Sequence, residues 1–312
     1  MSSLLSTLPN FPNSIPFIEV NEHDYVEYIS NYPRYSDFNY TSVYSWAGDT
    51  AALSHLNGNL VLWMQGYHDC KESLSLLGES NIDATLKAIL QYARHNEGLN
   101  SDLMLIPEIV VSKITDPTVL VKEDRDNHDY LLSTHKYVSL DGHDFAGLRR
   151  KISIFEREYA GRHSVKLMDL KDAQNKLDLI RIAQRWAEQG TEGAEGADEE
   201  IAAIERLLSH IDEMGVGQNI CCLGLYIDKV CEGFCIFERD EFDHSEATLH
   251  FIKANIEYKG ASSFMLVETL RASKLQFNVE NMNFEQDMGI VGLRESKMHA
   301  RPCGFLKKYI VS

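Results

Sequence analysis

Apolar positions along the 312 residues recur either every second residue or every third and fourth, and these two periods divide the chain into strands and helices. In the first half, "AALSHL", "NLVLWMQGY" and "SLSLLGE" alternate as short strands, with turns at Asn57-Gly58 and around His68-Asp69. The segment "NIDATLKAILQYARHNEG" changes to the helical period. Ile82, Leu86, Ile89 and Ala93 share one face, Asn81 stands where a cap belongs, and Gly98 can close the end. "LMLIPEIVVSKI" and "DYLLSTHKYVSL" read as strands, the first interrupted by Pro107. "DGHDFAGLRRKISIFEREYAG" is the most regular helix, with Phe145, Leu148, Ile152, Phe155 and Tyr159 in one stripe. A domain boundary is expected near Gly161, giving domains 1–160 and 161–312.

The second half has a simpler order. "HSVKLMDL" reads as a strand and "LDLIRIAQRWAEQ" as a helix with Leu179, Ile182 and Trp186 on one side. "GTEGAEGADEE", rich in glycine and acid, reads as a loop. A helix follows, with Ile201, Ile204, Leu208 and Ile211 as its stripe. "ICCLGLYI" and "VCEGFCIFERD" make a hairpin around Asp228-Lys229, and "EATLHFIKANI" adds a strand. The tight turn "EYKGAS" then leads into the helix "SFMLVETLRASKLQF", the strand "VENMNFEQ", the short helix "IVGLRESK" and the strand "GFLKKYIV".

Charge and cysteine usage narrow the function classes. The formal net charge is −17 and the pI about 5.1, so the field as a whole repels nucleic acid and anionic membrane. A tRNA or lipid partner would need a local basic patch. The start, "MSSLLSTLPNFPNSIPF", lacks a basic leader and is broken by prolines, and no apolar run is long enough to span a bilayer. A soluble cytoplasmic protein is expected. Four of the six cysteines fall in "ICCLGLYIDKVCEGFCIF" without a C-x-x-C spacing, which fits apolar strand thiols better than metal ligands.

The stretch "NFEQDMGIVGLRESK" concentrates candidate chemistry: Glu285 and Asp287, then Gly289 and Gly292, then Arg294 and Lys297. Acids so close together can handle protons, and the basic residues after them can hold a phosphorylated donor, so the stretch reads either as a site of that kind or as the capped start of a short helix. On a strand, Glu285 and Asp287 would point the same way and either would serve as base. The structural alternative is that Asp287 caps the helix "IVGLRESK" and Glu285 pairs with Arg294 or Lys297. His250 is a further acid–base candidate, its ordinary reading being a hydrogen-bonded strand histidine. The turn with Lys259, Gly260, Ala261 and Ser262 meets a helix N-terminus that suits a phosphate. Arg149 flanks the stripe of its helix. Two basic groups stand out, one around Arg149, Arg150 and Lys151, the other running from Arg294 and Lys297 to Lys307 and Lys308. Solvated faces are the expectation for Arg150, Arg157 and Lys308.

The blocks "HFIKAN" (with His250 and Lys253), "KG" (Lys259, Gly260), "NFEQDMGIVGLRESK" and Pro302 with "KKY" resemble the C-terminal catalytic domain family of bacterial phosphatidylglycerol lysyltransferase. Upstream, Tyr130, Gly142, Arg149 and Phe155 fit the same pattern, so the resemblance runs from about Phe38 to the C-terminus. The chain departs from the pattern at Ile252 and Val267. The resemblance and the element order imply an α+β fold of tandem GNAT-like domains, with mixed sheets flanked by helices and a shared central cleft. They imply transfer of an aminoacyl group from aminoacyl-tRNA to a hydroxyl or amine of a small-molecule or lipid acceptor. Glu285, Asp287 and His250 would then be catalytic. Lys253, Lys259, Gly260, Ala261, Ser262, Arg149, Arg294 and Lys297 would bind the donor's phosphates. No permanently bound cofactor or metal is expected, the co-substrate being aminoacyl-tRNA or acyl-CoA. The competing classes are an acyl-CoA-dependent N-acyltransferase and a non-catalytic binder of small molecules.

Overall fold

The computed structural model describes residues 2–65, 72–189 and 196–312. The turn expected around His68-Asp69 and the core of the glycine-rich loop, Gly190 to Glu195, lie outside the described residues. The chain forms two compact units. One comprises Met1–Asp129, Gln286–Gly289 and Phe305–Ser312, the other Tyr130–Glu285 and Ile290–Gly304.

In the first unit, strands Ala52–Leu56, Asn59–Gln65 and Glu72–Leu77 are antiparallel neighbours, as their alternation predicts. Asn57 and Gly58 both take positive φ, 51° and 84°, which is the two-residue turn that matches strand twist. Helix Ile82–Arg94 buries Ile82, Leu86, Ile89 and Ala93 against Val61, Leu74 and Leu76. Asn81 occupies its cap position in a left-handed conformation and makes no side-chain cap bond; its carbonyl accepts instead from the Thr85 hydroxyl. A second sheet orders Leu103–Pro107, Lys308–Val311 and Val121–Glu123. The chain after Pro107 turns helical at Glu108–Val111 rather than resuming a strand.

The second unit carries a sheet in the neighbour order Asp129–Ser133, Asn281–Asn283, Glu246–Ala254, Val230–Arg239, Ile220–Ile227, His163–Met168. The expected hairpin closes at Asp228 and Lys229, at φ 48° and 71°. Helices Ala173–Gln189, Ala197–His210 and Ala261–Phe277 follow the predicted order. "DYLLSTHKYVSL" splits: Asp129–Ser133 is a strand, but Thr134–Ser139 is helical, and Thr134 ties the junction to the neighbouring segment through its N–H on the Glu280 carbonyl and its hydroxyl on the carbonyls of Val279 and Glu280.

The division between units differs from the expected 1–160 and 161–312. Helix Ala146–Glu158 belongs to the second unit, and its stripe explains why. Phe155 stacks on Phe264 at 4.5 Å, and Tyr159 meets the ring of Tyr258 at 5.3 Å. Gly260 has φ +88°, and a Cβ there would stand 2.9 Å from the Lys151 carbonyl oxygen, so the close approach of these helices requires glycine.

Candidate functional site

Three strands of the second unit converge on His250. Strand Glu246–Ala254 pairs in parallel with Asn281–Asn283 only as far as Thr248 and Asn283, then continues to Ala254. On its other side it pairs with Val230–Arg239, where Ile236 opposes Phe251 and Phe237 opposes Leu249. His250 is therefore the extra residue of a β-bulge, a device that re-aims a side chain.

The imidazole is almost wholly buried, with carboxylates on both nitrogens. Nε2 lies 3.1 Å from Glu238 Oε2, and Nδ1 lies 3.3 Å from Glu285 Oε1. Burial alone would push the His250 pKa down. The hydrogen bonds and charges of Glu238 and Glu285 overcome it and raise the value to about 9. Both ring nitrogens then donate, so the group at neutral pH is an imidazolium between two carboxylates. Of the two acids, Glu285 is the more accessible, at 17% exposed against 8% for Glu238.

Because the folded pKa lies above the ordinary 6.5, this group stabilises the fold fully below about pH 6.5, and the contribution disappears as pH rises through about 9. A shift of that size corresponds to about 3 kcal/mol. Urea unfolding between pH 6 and 10 should show the loss in the wild-type protein and not in His250→Gln. A wild-type curve flat across that range would contradict the assignment.

The two acids of "NFEQD" do not share a strand face. The strand ends at Asn283, and Glu285 takes a left-handed φ of 54° while its N–H bonds Asn283 Oδ1 at 2.7 Å. Asp287 belongs to the other unit. It is fully buried, with Oδ2 3.3 Å from Arg125 Nη1 and Oδ1 accepting the Gly289 N–H at 2.9 Å. The helix Val291–His299 is preceded by Ile290 without a side-chain cap, so Asp287 does not cap it.

The donor-binding candidates separate as well. Lys259, Gly260 and Ser262 line one pocket of about 300 Å³, together with Lys151, Tyr258 and Ser263. Ala261 begins the 17-residue helix beside it; the Ala261 N–H donates to the Tyr258 carbonyl at 3.0 Å, and the helical bonds begin with Phe264 N–H to the Gly260 carbonyl at 2.9 Å. Two lysines beside a helix N-terminus give this pocket a positive character that would favour an anion. The other candidates are engaged elsewhere. The Lys253 ammonium lies 2.7 Å from Glu200 and 3.5 Å over the Trp186 ring. Arg149 donates to the carbonyls of Leu140 and Gly142, closing the turn before its own helix. Lys297 is buried, with its ammonium on the Phe284 carbonyl and 4.1 Å over the Phe284 ring. Arg294 is half-buried on the same helix.

Family model comparison decides the lineage. The model described as phosphatidylglycerol lysyltransferase, C-terminal, matches residues 30–312. The chain belongs to this family. No curated relative matches it in sequence. Among solved structures, a conserved protein of unknown function from Bacteroides thetaiotaomicron VPI-5482 superposes with TM-score 0.76 at 18% identity, covering 94% of this chain and 97% of that one. The C-terminal domain (DUF2156) of a proposed lysylphosphatidylglycerol synthetase from Agrobacterium fabrum gives 0.60 at 14% identity, covering 93% and 92%. A tandem GNAT protein from the clavulanic acid biosynthesis pathway gives 0.51 at 8% identity, covering 96% of each chain. These likenesses show the expected fold, tandem GNAT-like domains with mixed sheets flanked by helices. Family and fold together point to a transferase. Among the described residues, no helix is long and apolar enough to cross a membrane.

In this lysyltransferase-family chain, Glu238 is the residue that sequence reasoning missed. Its signal was present: the strand Val230–Arg239 is buried on both faces, so a glutamate within it must find a charged or hydrogen-bonding partner. His250, one strand away, was the histidine to pair it with. Lys308 is a correction of another kind. Expected on a solvated face, it is fully buried, because its ammonium sits against the carboxylates of Asp37 and Asp129, within one unit.

Proposed function

We propose that the chain transfers an aminoacyl group from aminoacyl-tRNA to a hydroxyl or amine acceptor, with Glu285 as the base. The observation that carries this reading is the Glu285 carboxylate, partly accessible and fixed by the buried His250 imidazolium at the end of a strand pair. Glu285 takes the proton of the acceptor's O–H or N–H. The acceptor atom bonds to the carbonyl carbon of the aminoacyl ester, the ester C–O bond breaks, and the terminal tRNA hydroxyl leaves with a proton. The Lys151, Lys259, Gly260 and Ser262 pocket is the local basic patch that an acidic protein needs to hold a donor phosphate. Use of tRNA implies a cytoplasmic protein.

The tandem GNAT likeness favours one alternative, an acyl-CoA donor bound at the same turn. Thermal-shift titration separates the two. The proposal expects charged tRNA to raise Tm, with an effect that shrinks as salt rises from 50 to about 200 mM. It expects acetyl-CoA to leave Tm unchanged. A shift with acetyl-CoA and none with tRNA would transfer the assignment to CoA chemistry, and no shift with either would favour a binder of another small molecule.

A further inference from the structure

We propose that Glu238 is a positioning residue of the transfer site, holding the His250 ring so that its Nδ1–H stays on the Glu285 carboxylate. The inference rests on Glu285 being the base, and it adds a residue that never meets the substrate.

Three observations carry it. First, the bulge at His250 changes the register from Ile236–Phe251 to Phe237–Leu249, and the ring emerges between Glu238 on one strand and Glu285 beyond the other. Regular pairing would have held these strands together without an extra residue, so the bulge serves the aim of the side chain. Second, the bond Glu238 makes is to Nε2, the nitrogen turned away from Glu285. The partner on one ring nitrogen sets the orientation and protonation of the other. Third, the carboxylate–imidazolium–carboxylate row is graded in access. His250 and Glu238 are buried, and Glu285 is the member that reaches outward. Charge is thus fixed inside and presented at one end.

Glu238 faces the ring from strand Val230–Arg239 and Glu285 faces it from the segment after Asn281–Asn283. With Glu238→Gln the ring keeps a hydrogen-bonding neighbour of the same shape and loses one of its two counter-charges. The ring then deprotonates at lower pH, and the neutral form can present a bare Nδ1 to Glu285, two acceptors facing each other.

The test uses the full chain. Nitrogen NMR of the His250 ring, assigned by its loss in His250→Gln, should show both nitrogens protonated up to about pH 9 in the wild type. In Glu238→Gln the transition should fall by at least about one pH unit. In transfer assays, Glu238→Gln should lower kcat with little change in KM for charged tRNA, and should move the alkaline limb of the pH profile down in parallel with the ring. Glu238→Asp should restore part of both. An unmoved ring titration in Glu238→Gln would overturn the proposal. So would a moved ring with an unchanged rate and pH profile, which would leave Glu238 as a structural ion-pair partner. If the wild type transfers nothing, the base assignment falls with the transfer role, and the ring titration still decides whether Glu238 sets the state of His250. Should Glu238→Gln fail to fold, Glu238→Asp carries both readouts.

Discussion

Replacing Lys308 with methionine will lower the unfolding free energy by about 3–5 kcal/mol, because it strands two buried carboxylates. The Lys308 ammonium donates to Asp129 Oδ1 at 2.7 Å, to Ser36 Oγ at 3.2 Å and to Gln286 Oε1 at 3.4 Å, and it contacts the Asp37 carboxylate. The Ser36 N–H donates to Asp129 Oδ2 at 2.8 Å, and the Gln286 amide donates to Asp37 Oδ1 at 3.3 Å. Burial alone would lower the lysine pKa, but Asp129 and Asp37 reverse the sign and raise it. Methionine matches the length of the stem and removes the charge, so packing changes little while the acids lose their counter-ion. Urea unfolding at pH 7 measures the effect. The double variant Lys308→Met with Asp37→Asn should recover part of the loss, since one stranded charge is gone. A loss below about 1 kcal/mol for the single variant would mean the network is already neutral or hydrated.

Glu285→Gln will abolish most transfer activity, lowering kcat by about 10²–10⁴-fold, the usual worth of a positioned base. The amide oxygen can still accept from His250 Nδ1, so the fold and the ring orientation survive. What is lost is the ability to take a proton. KM for the donor should change little, because the proposed phosphate contacts lie on Lys151, Lys259 and the turn before Ala261–Phe277, away from the Glu285 carboxylate's partner His250. Asp287→Asn is the informative control. Asp287 is fully buried against Arg125 and the Gly289 N–H, so its amide should cost stability more than turnover. A Glu285→Gln loss of less than about tenfold in kcat would assign the proton to another group.

Much of the fold was legible because periodicity reports burial. The stripe Phe145, Leu148, Ile152, Phe155, Tyr159 is buried throughout, and the turns at Asn57-Gly58 and Asp228-Lys229 carry the positive φ values that Asn, Gly and Asp tolerate best, with Lys229 drawn into the same region by the hairpin. The unit boundary was not legible. What decides it is that Gly260 lets its turn approach the Lys151 carbonyl, a contact between segments far apart in the chain. The same limit governs the site. His250 and Glu285 stood out by residue type, yet their meeting depends on a bulge at His250 and a left-handed Glu285, and neither breaks an alternation that a sequence displays. The pairing of Glu285 and Asp287 on one face failed for that reason, since a strand that ends at Asn283 cannot impose its period two residues on. Lys308 was misplaced because an exposed lysine is the ordinary case, and only Asp37 and Asp129, remote in sequence, make burial tolerable.

The most direct measurement is single-turnover transfer of label from a mixture of charged tRNAs, followed in the wild type and in Glu285→Gln with hydroxyl- and amine-bearing acceptors present. The account predicts that label moves from tRNA to an acceptor with the wild type and stays on tRNA with Glu285→Gln. Equal transfer by the two proteins, or transfer only from acetyl-CoA, would contradict it.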